Sequence, residues 1–115
     1  IMHPDPSHTF ELDVAQCQLL INGENPPLLI DCRELTEYTH CRIDGATLVP
    51  LSNFMGPAET EFSSGDVPAI IYCHHGVRSL NAIFYLREQG FTHTYSMAGG
   101  IDQWSLLIDP EVARY

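Results

Sequence analysis

The stretch from Ala69 to Gly90 constrains this chain most. A short apolar run, a cysteine, a glycine-bearing loop and a helical pattern follow one another without interruption. Ile70, Ile71 and Tyr72 are β-branched or aromatic and read as a buried strand that stops at Cys73. Arg78 then opens a helix whose apolar positions Val77, Leu80, Ile83, Phe84 and Leu86 recur at helical spacing, with Gly90 as its stop. This order sets a thiol at the carboxyl end of a strand, facing a loop that leads into a helix N-terminus. Unpaired backbone N–H groups converge on such a point, and the helix dipole adds partial positive charge. The cradle favours an anion and lowers the thiol pKa of Cys73 into the range ~3.5–7.5 of activated cysteines. Gly76 permits a tight turn and close backbone approach, and Arg78 adds a permanent positive charge with a fork of donors. The alternative is a buried, inert cysteine at a strand end. Gly76, Arg78 and the following helix speak against it.

The rest of the chain reads as alternating strands and helices. Thr9–Leu12 is a short strand, and Asp13 with Gln16 forms a capping-box pattern ahead of the stripe Val14, Cys17, Leu20 and Ile21. Cys17 on that stripe reads as core packing. Leu28–Asp31 is a near-continuous apolar run, as expected of a strand covered on both faces. A helix from Glu34 to about His40 follows, then a strand over Thr47–Pro50 and a short helix beginning at Leu51–Phe54. Gly56–Asp66, rich in Gly, Ser and acids, reads as a variable surface segment. Thr94–Met97 is the last strand, Gly99-Gly100 a tight turn, Ile101–Leu107 a closing helix that carries Trp104 as a packing anchor, and Glu111–Tyr115 a tail. Such alternation implies a parallel sheet with helices on both faces. Ligands of these sheets bind outside the carboxyl ends of the strands, where Cys73 lies.

Composition narrows the function. A length of 115 residues suits one domain, spanning 1–115 with a core of about 9–107. Nothing approaches the roughly 20 apolar residues needed to cross a bilayer, and Ile1–Pro6 has neither the basic nor the apolar part of a signal peptide. The expected location is the cytoplasm, away from membranes. The formal net charge of −10, with arginine supplying all five basic residues, argues against a nucleic-acid partner. The same field slows the approach of small dianions. Cys17, Cys32, Cys41 and Cys73 show neither a Cys-x-x-Cys pair nor a zinc spacing, so no metal is expected.

Cys73-His74-His75-Gly76-Val77-Arg78-Ser79 resembles the active-site loop of rhodanese-like sulfurtransferases, commonly Cys-x-x-Gly-x-Arg/Thr-Ser. Asp31-Cys32-Arg33-Glu34, Glu37-Tyr38 and Ile43-Asp44-Gly45-Ala46 resemble the upstream signature of that family, and Ser96–Trp104 its downstream Gly-Gly signature. Cys41-Arg42-Ile43 departs from the Gly-His-Ile usual there. The resemblance implies a rhodanese-like three-layer α/β fold: a mainly parallel five-stranded sheet with helices on both faces. It implies sulfur transfer through a persulfide on Cys73, with no other cofactor, from a donor such as thiosulfate or a persulfide to cyanide, a thiol or a sulfur-carrier protein. Loop amides from His74 to Ser79 would stabilise the anionic sulfur. Arg78 would orient the donor or brace the loop, and Ser79 would bond near the sulfur or cap the helix. His74 and His75 would shuttle protons, contact a partner or have no task. Asp31 and Arg33 would hold the upstream turn against the sheet. The acidic charge points to a persulfide donor in preference to free thiosulfate.

Three other readings compete. Dual-specificity phosphatases share a strand–loop–helix with Cys-x5-Arg, whereas four residues separate Cys73 from Arg78 here, and Tyr72 stands where those enzymes usually have histidine. A non-catalytic regulatory module is a second alternative, against which the retained Cys73 counts. A thiol redox sensor, with Cys32 resolving an oxidised Cys73, is the third.

Overall fold

The computed structural model describes residues 5–54 and 68–115. Among them five strands form one sheet: β1 (Glu11–Leu12), β2 (Leu28–Asp31), β3 (Thr47–Leu48), β4 (Ala69–Tyr72) and β5 (Thr94–Met97). The spatial order is β1-β5-β4-β2-β3, and every neighbouring pair runs parallel. Four helices accompany it: α1 (Val14–Ile21), α2 (Leu35–His40), α3 (Val77–Glu88) and α4 (Gly100–Leu107). All four residues of β4 and all four of β5 are buried, as parallel strands covered on both faces must be.

Side chains alternate across the sheet and sort the core into two layers. Leu29, Ile70, Tyr72, Tyr95 and Met97 pack with Val14, Cys17 and Leu20 of α1 and Ile101 and Trp104 of α4. Ile30, Cys32, Ala69, Ile71 and Cys73 pack with Ala82, Ile83 and Leu86 of α3 on the other face. The central strand β4 pairs in register with β2, Ile30 opposite Ile71 and Asp31 opposite Tyr72. This places the ends of both apolar runs side by side at one edge.

The local signals act as their chemistry requires. The Asp13 carboxylate accepts from Gln16 N at 2.8 Å while the Gln16 side chain accepts from Asp13 N at 3.0 Å, closing the capping box of α1. The outer strands are shorter than the sequence pattern suggests. β1 covers only Glu11–Leu12, β3 ends before Val49-Pro50, and Leu51–Asn53 makes a single 3-10 turn. Edge strands pair on one side only, so their ladders stop sooner. The buried face of α3 also differs: Val77 and Phe84 are 69% and 43% exposed, while Ser79 and Ala82 are buried. Phe84 meets Phe10 edge-on instead, with ring centroids 5.4 Å apart. The segment Gly56–Asp66 lies outside the described residues.

Candidate active site

β4 delivers Cys73 to the point where the chain leaves the sheet, and Gly76 turns it into α3 at φ +102°. A side chain disfavours that backbone, which explains the glycine. The turn brings two amide donors and a hydroxyl onto the sulfur. Gly76 N lies 3.0 Å from Cys73 Sγ, Ser79 N 3.4 Å, and Ser79 Oγ 3.5 Å. A fourth comes from the adjacent strand, where the Cys32 thiol hydrogen-bonds Cys73. That bond is the largest cause holding the Cys73 thiol down at about 4; burial opposes it, and the Ser79 hydroxyl and the two amides add to it. The same contact, with burial, pushes the Cys32 thiol far up. Cys73 is therefore the thiolate of the pair and Cys32 the donor. The sulfur is buried, so this charge rests on aimed donors and not on water.

Of the two roles expected of it, Ser79 takes the one beside the sulfur and not the helix cap, since no side chain caps the start of α3. Its amide and hydroxyl face the sulfur from the first turn of α3, and its Oγ also bonds Gly76 O at 3.2 Å and Ser96 Oγ at 2.7 Å. Val77, between them, points outward.

The Gly-Gly turn at the start of α4 fixes the loop from behind. Ile101 N donates to Cys73 O at 2.9 Å and Asp102 N to His74 O at 3.1 Å, so the loop carbonyls occupy the free amides of that helix end. A Cβ on Gly100 would sit 2.4 Å from His74 O and 2.5 Å from Cys73 O. The downstream signature is a backbone-to-backbone seat for the cysteine loop.

Arg78 braces the loop against the upstream signature. Its Nη1 and Nη2 meet Glu37 Oε1 and Oε2 at 2.7 and 2.9 Å, a bidentate fork. Hydrogen bonding from Arg78 is the main reason the Glu37 carboxyl is held at about 2, helped by the Tyr115 hydroxyl and the Glu34 amide against burial. Asp31 and Arg33 form a fully buried pair, with Arg33 Nη2 on Asp31 Oδ2 at 2.7 Å and Arg33 Nε on Asp31 Oδ1 at 2.9 Å. Arg33 Nη1 reaches the Tyr115 hydroxyl at 3.0 Å, and that hydroxyl donates to Glu37 Oε2 at 2.5 Å. One chain of polar contacts thus runs Asp31–Arg33–Tyr115–Glu37–Arg78 across the carboxyl ends of β2 and β4.

The histidines stack beside this chain. The His74 ring lies 3.8 Å from that of Tyr115 at 7°, and 3.9 Å from that of His75. His75 Nδ1 stands 4.0 Å from Asp102 Oδ2, and His74 Nε2 is buried without a hydrogen-bond partner. Among the described residues no three His, Cys, Asp or Glu side chains cluster as metal ligands.

Every predicted site residue thus lies at one end of the sheet, but Glu37, Tyr115 and the Gly99-Gly100 seat were not read as site components. Glu37 carried a signal in its place beside Tyr38 in the upstream signature. Tyr115 carried none, since its segment reads as a tail. It contacts residues 33, 37 and 74, far from it in sequence.

The arrangement surrounds one sulfur with directed hydrogen-bond donors. Comparison with known proteins places the chain in a family. Residues 13–107 match the family described as the rhodanese-like domain. The chain is 38% identical over 94 residues to the thiosulfate sulfurtransferase GlpE of Glaesserella parasuis serovar 5, covering 82% of this chain and 84% of that one. It is 36% identical over 106 residues to the GlpE protein of Pseudoalteromonas translucida, covering 90% and 95%. Among solved structures, a rhodanese-like domain protein from Staphylococcus aureus superposes with a TM-score of 0.73 at 20% identity, covering 93% of this chain and 99% of that one.

Proposed function

Because the chain belongs to the rhodanese-like domain family, we propose that it is a sulfurtransferase that carries its cargo as a persulfide on Cys73. The observation that supports this best is a buried sulfur on which Gly76 N, Ser79 N, Ser79 Oγ and the Cys32 thiol converge. In the first half-reaction the Cys73 thiolate attacks the outer sulfur of the donor. The donor's sulfur–sulfur bond breaks, the remainder leaves with its electron pair, and Cys73 keeps the extra sulfur. In the second, an acceptor such as cyanide, a thiol or a carrier protein attacks that sulfur and the Cys73 thiolate leaves. The terminal sulfur of the intermediate bears the charge, and the donors at the start of α3 are placed to stabilise it. No dissociable cofactor takes part.

Both GlpE relatives are named for thiosulfate, which supports it as a donor. Charge favours a thiol or protein persulfide instead. The net charge is −10, and the arginines at this end of the sheet are already engaged, Arg78 by Glu37, Arg33 by Asp31 and Arg114 by Asp102. The engaged fork of Arg78 and the four-residue spacing from Cys73 equally weaken the phosphatase reading, which needs a free guanidinium for a tetrahedral anion. Intact mass after exposure to a sulfane donor tests the proposal. We expect a gain of one sulfur that cyanide removes and that Cys73→Ser lacks, with transfer lost in Cys73→Ser and retained in Cys17→Ser. Undiminished transfer by Cys73→Ser would end it. Efficient turnover of dilute thiosulfate would overturn the donor preference alone.

A further inference from the structure

The four cysteines are all free and all buried, and the sheet divides them. Cys17 and Cys41 pack in the layer formed by α1 and α4, while Cys32 and Cys73 share the layer under α3. β2 and β4 run in register up to Asp31 opposite Tyr72, the last pair, which the bond from Cys32 N to Tyr72 O at 3.0 Å closes. Cys32 and Cys73 are therefore the next residues on adjacent strands. Strands in a sheet stand about 4.8 Å apart, inside the span of about 4.4–6.8 Å between Cα atoms that a disulfide bridges. Their side chains point to the same face and already share a hydrogen bond.

We propose that Cys32 is a resolving thiol: it attacks the inner sulfur of the Cys73 persulfide, closes a Cys32–Cys73 disulfide and releases the outer sulfur as hydrogen sulfide. This rests on the persulfide reading above. The bond between Cys32 Sγ and Cys73 Sγ forms as the bond from Cys73 Sγ to the outer sulfur breaks. The Cys32 proton departs with the leaving sulfur. The persulfide of Cys73 and the thiol of Cys32 give one disulfide and one hydrogen sulfide, with Cys32 oxidised and the outer sulfur reduced, so the persulfide itself is the oxidant. Approach favours the inner sulfur. Cys32 comes from the neighbouring strand, whereas the amide donors for the outer sulfur come from the loop and α3. Being wholly buried, Cys32 is shielded from solution thiols and meets Cys73 as an intramolecular partner at high effective concentration. The device discharges the carried sulfur when no acceptor arrives, and a dithiol reductant that attacks the disulfide at its Cys73 sulfur, where sulfur donors also enter, restores both thiols.

The experiment loads the full chain with excess low-molecular-weight persulfide, removes the donor and adds no acceptor. Released sulfide, intact mass and the linked peptides are followed with time. We expect wild type to release sulfide while its mass falls to that of the reduced chain less the pair of thiol hydrogens, with a linked peptide joining Cys32 to Cys73. Sulfide released per loaded chain should drop roughly tenfold or more in Cys32→Ser, which loads more slowly for want of a donor to Cys73 but keeps the sulfur it gains, and should be unchanged in Cys17→Ser. A wild-type persulfide as long-lived as that of Cys32→Ser, or a linked peptide containing Cys17 or Cys41, overturns the resolving role and leaves the persulfide intact. Absence of any gained sulfur in wild type and Cys32→Ser, with no sulfide released, overturns the persulfide reading and this one with it. Peptide linkage in wild type needs no variant to fold.

Discussion

Cys17 and Cys73 are equally hidden from solvent, at 0% and 1% exposed, yet their thiols end at opposite extremes. Burial pushes Cys17 up to about 12, with the nearby charge of Asp13 adding to it. Cys73 is held at about 4 against the same penalty. Cys17 lies on the inner stripe of α1, and its hydrogen-bond contact is the Leu12 carbonyl, an acceptor, at 3.8 Å. Cys73 lies where a strand ends and a helix begins, and its neighbours are donors. Burial therefore sets the size of the stakes, and the sign of the surrounding dipoles decides which form of the thiol persists. A chain with two such cysteines separates the structural one from the reactive one by placement alone.

Moving the loop should break this contrast most. Gly100→Ala drives a Cβ into the carbonyls of Cys73 and His74 at a positive φ of 60°. We expect a loss of about 2–4 kcal/mol in stability and near-complete loss of transfer, because the amides no longer converge on the sulfur. Thermal unfolding and a cyanide-acceptor assay check this. Wild-type values for both would show that the Gly-Gly seat does not position the thiolate.

Removing the brace should have a smaller effect. Glu37→Gln replaces the carboxylate that grips Arg78 in a partly exposed fork. We expect a cost of about 1 kcal/mol, which corresponds to roughly a fivefold slower transfer if it falls on the transition state. The pH dependence sharpens the assignment. Because the Glu37 carboxyl is lowered from 4.5 to about 2 on folding, its contribution is complete above pH 4.5 and disappears as pH falls towards 2. The stability curves of wild type and Glu37→Gln should differ at neutral pH and converge across that interval. A gap of constant size down to pH 2 would place the effect elsewhere.

Much of this site was legible because its parts are local. The apolar run of β4, the cysteine, Gly76 and the start of α3 lie within ten consecutive residues, and strand period, turn residue and helix period all agree there. The Asp13–Gln16 cap is equally local. What escaped depends on tertiary contact. Ser79 and Ala82 face inward on α3, and Val77 and Phe84 do not, because the sulfur and the sheet select which helix face is covered. Helical period alone cannot rank those faces when apolar residues occur on both. Asp31 and Arg33 read as holding the upstream turn, but their complete burial shows only in the structure, where Tyr72 and Tyr115 flank the guanidinium with ring centroids 5.5 and 5.6 Å from its carbon. Tyr115 itself had no pattern to reveal it. Its ring and hydroxyl find partners from the turn after β2, from α2 and from the cysteine loop only once the chain has folded.

The central claim is that Cys73 is an anion in the resting protein, and its titration tests this most directly. Thiolate absorbance against pH, taken as wild type minus Cys73→Ser, should show one group that ionises near pH 4 and is fully charged at neutrality. A difference curve flat through neutrality, with absorbance rising only towards the ordinary cysteine value of 9.0 or above, would contradict the account.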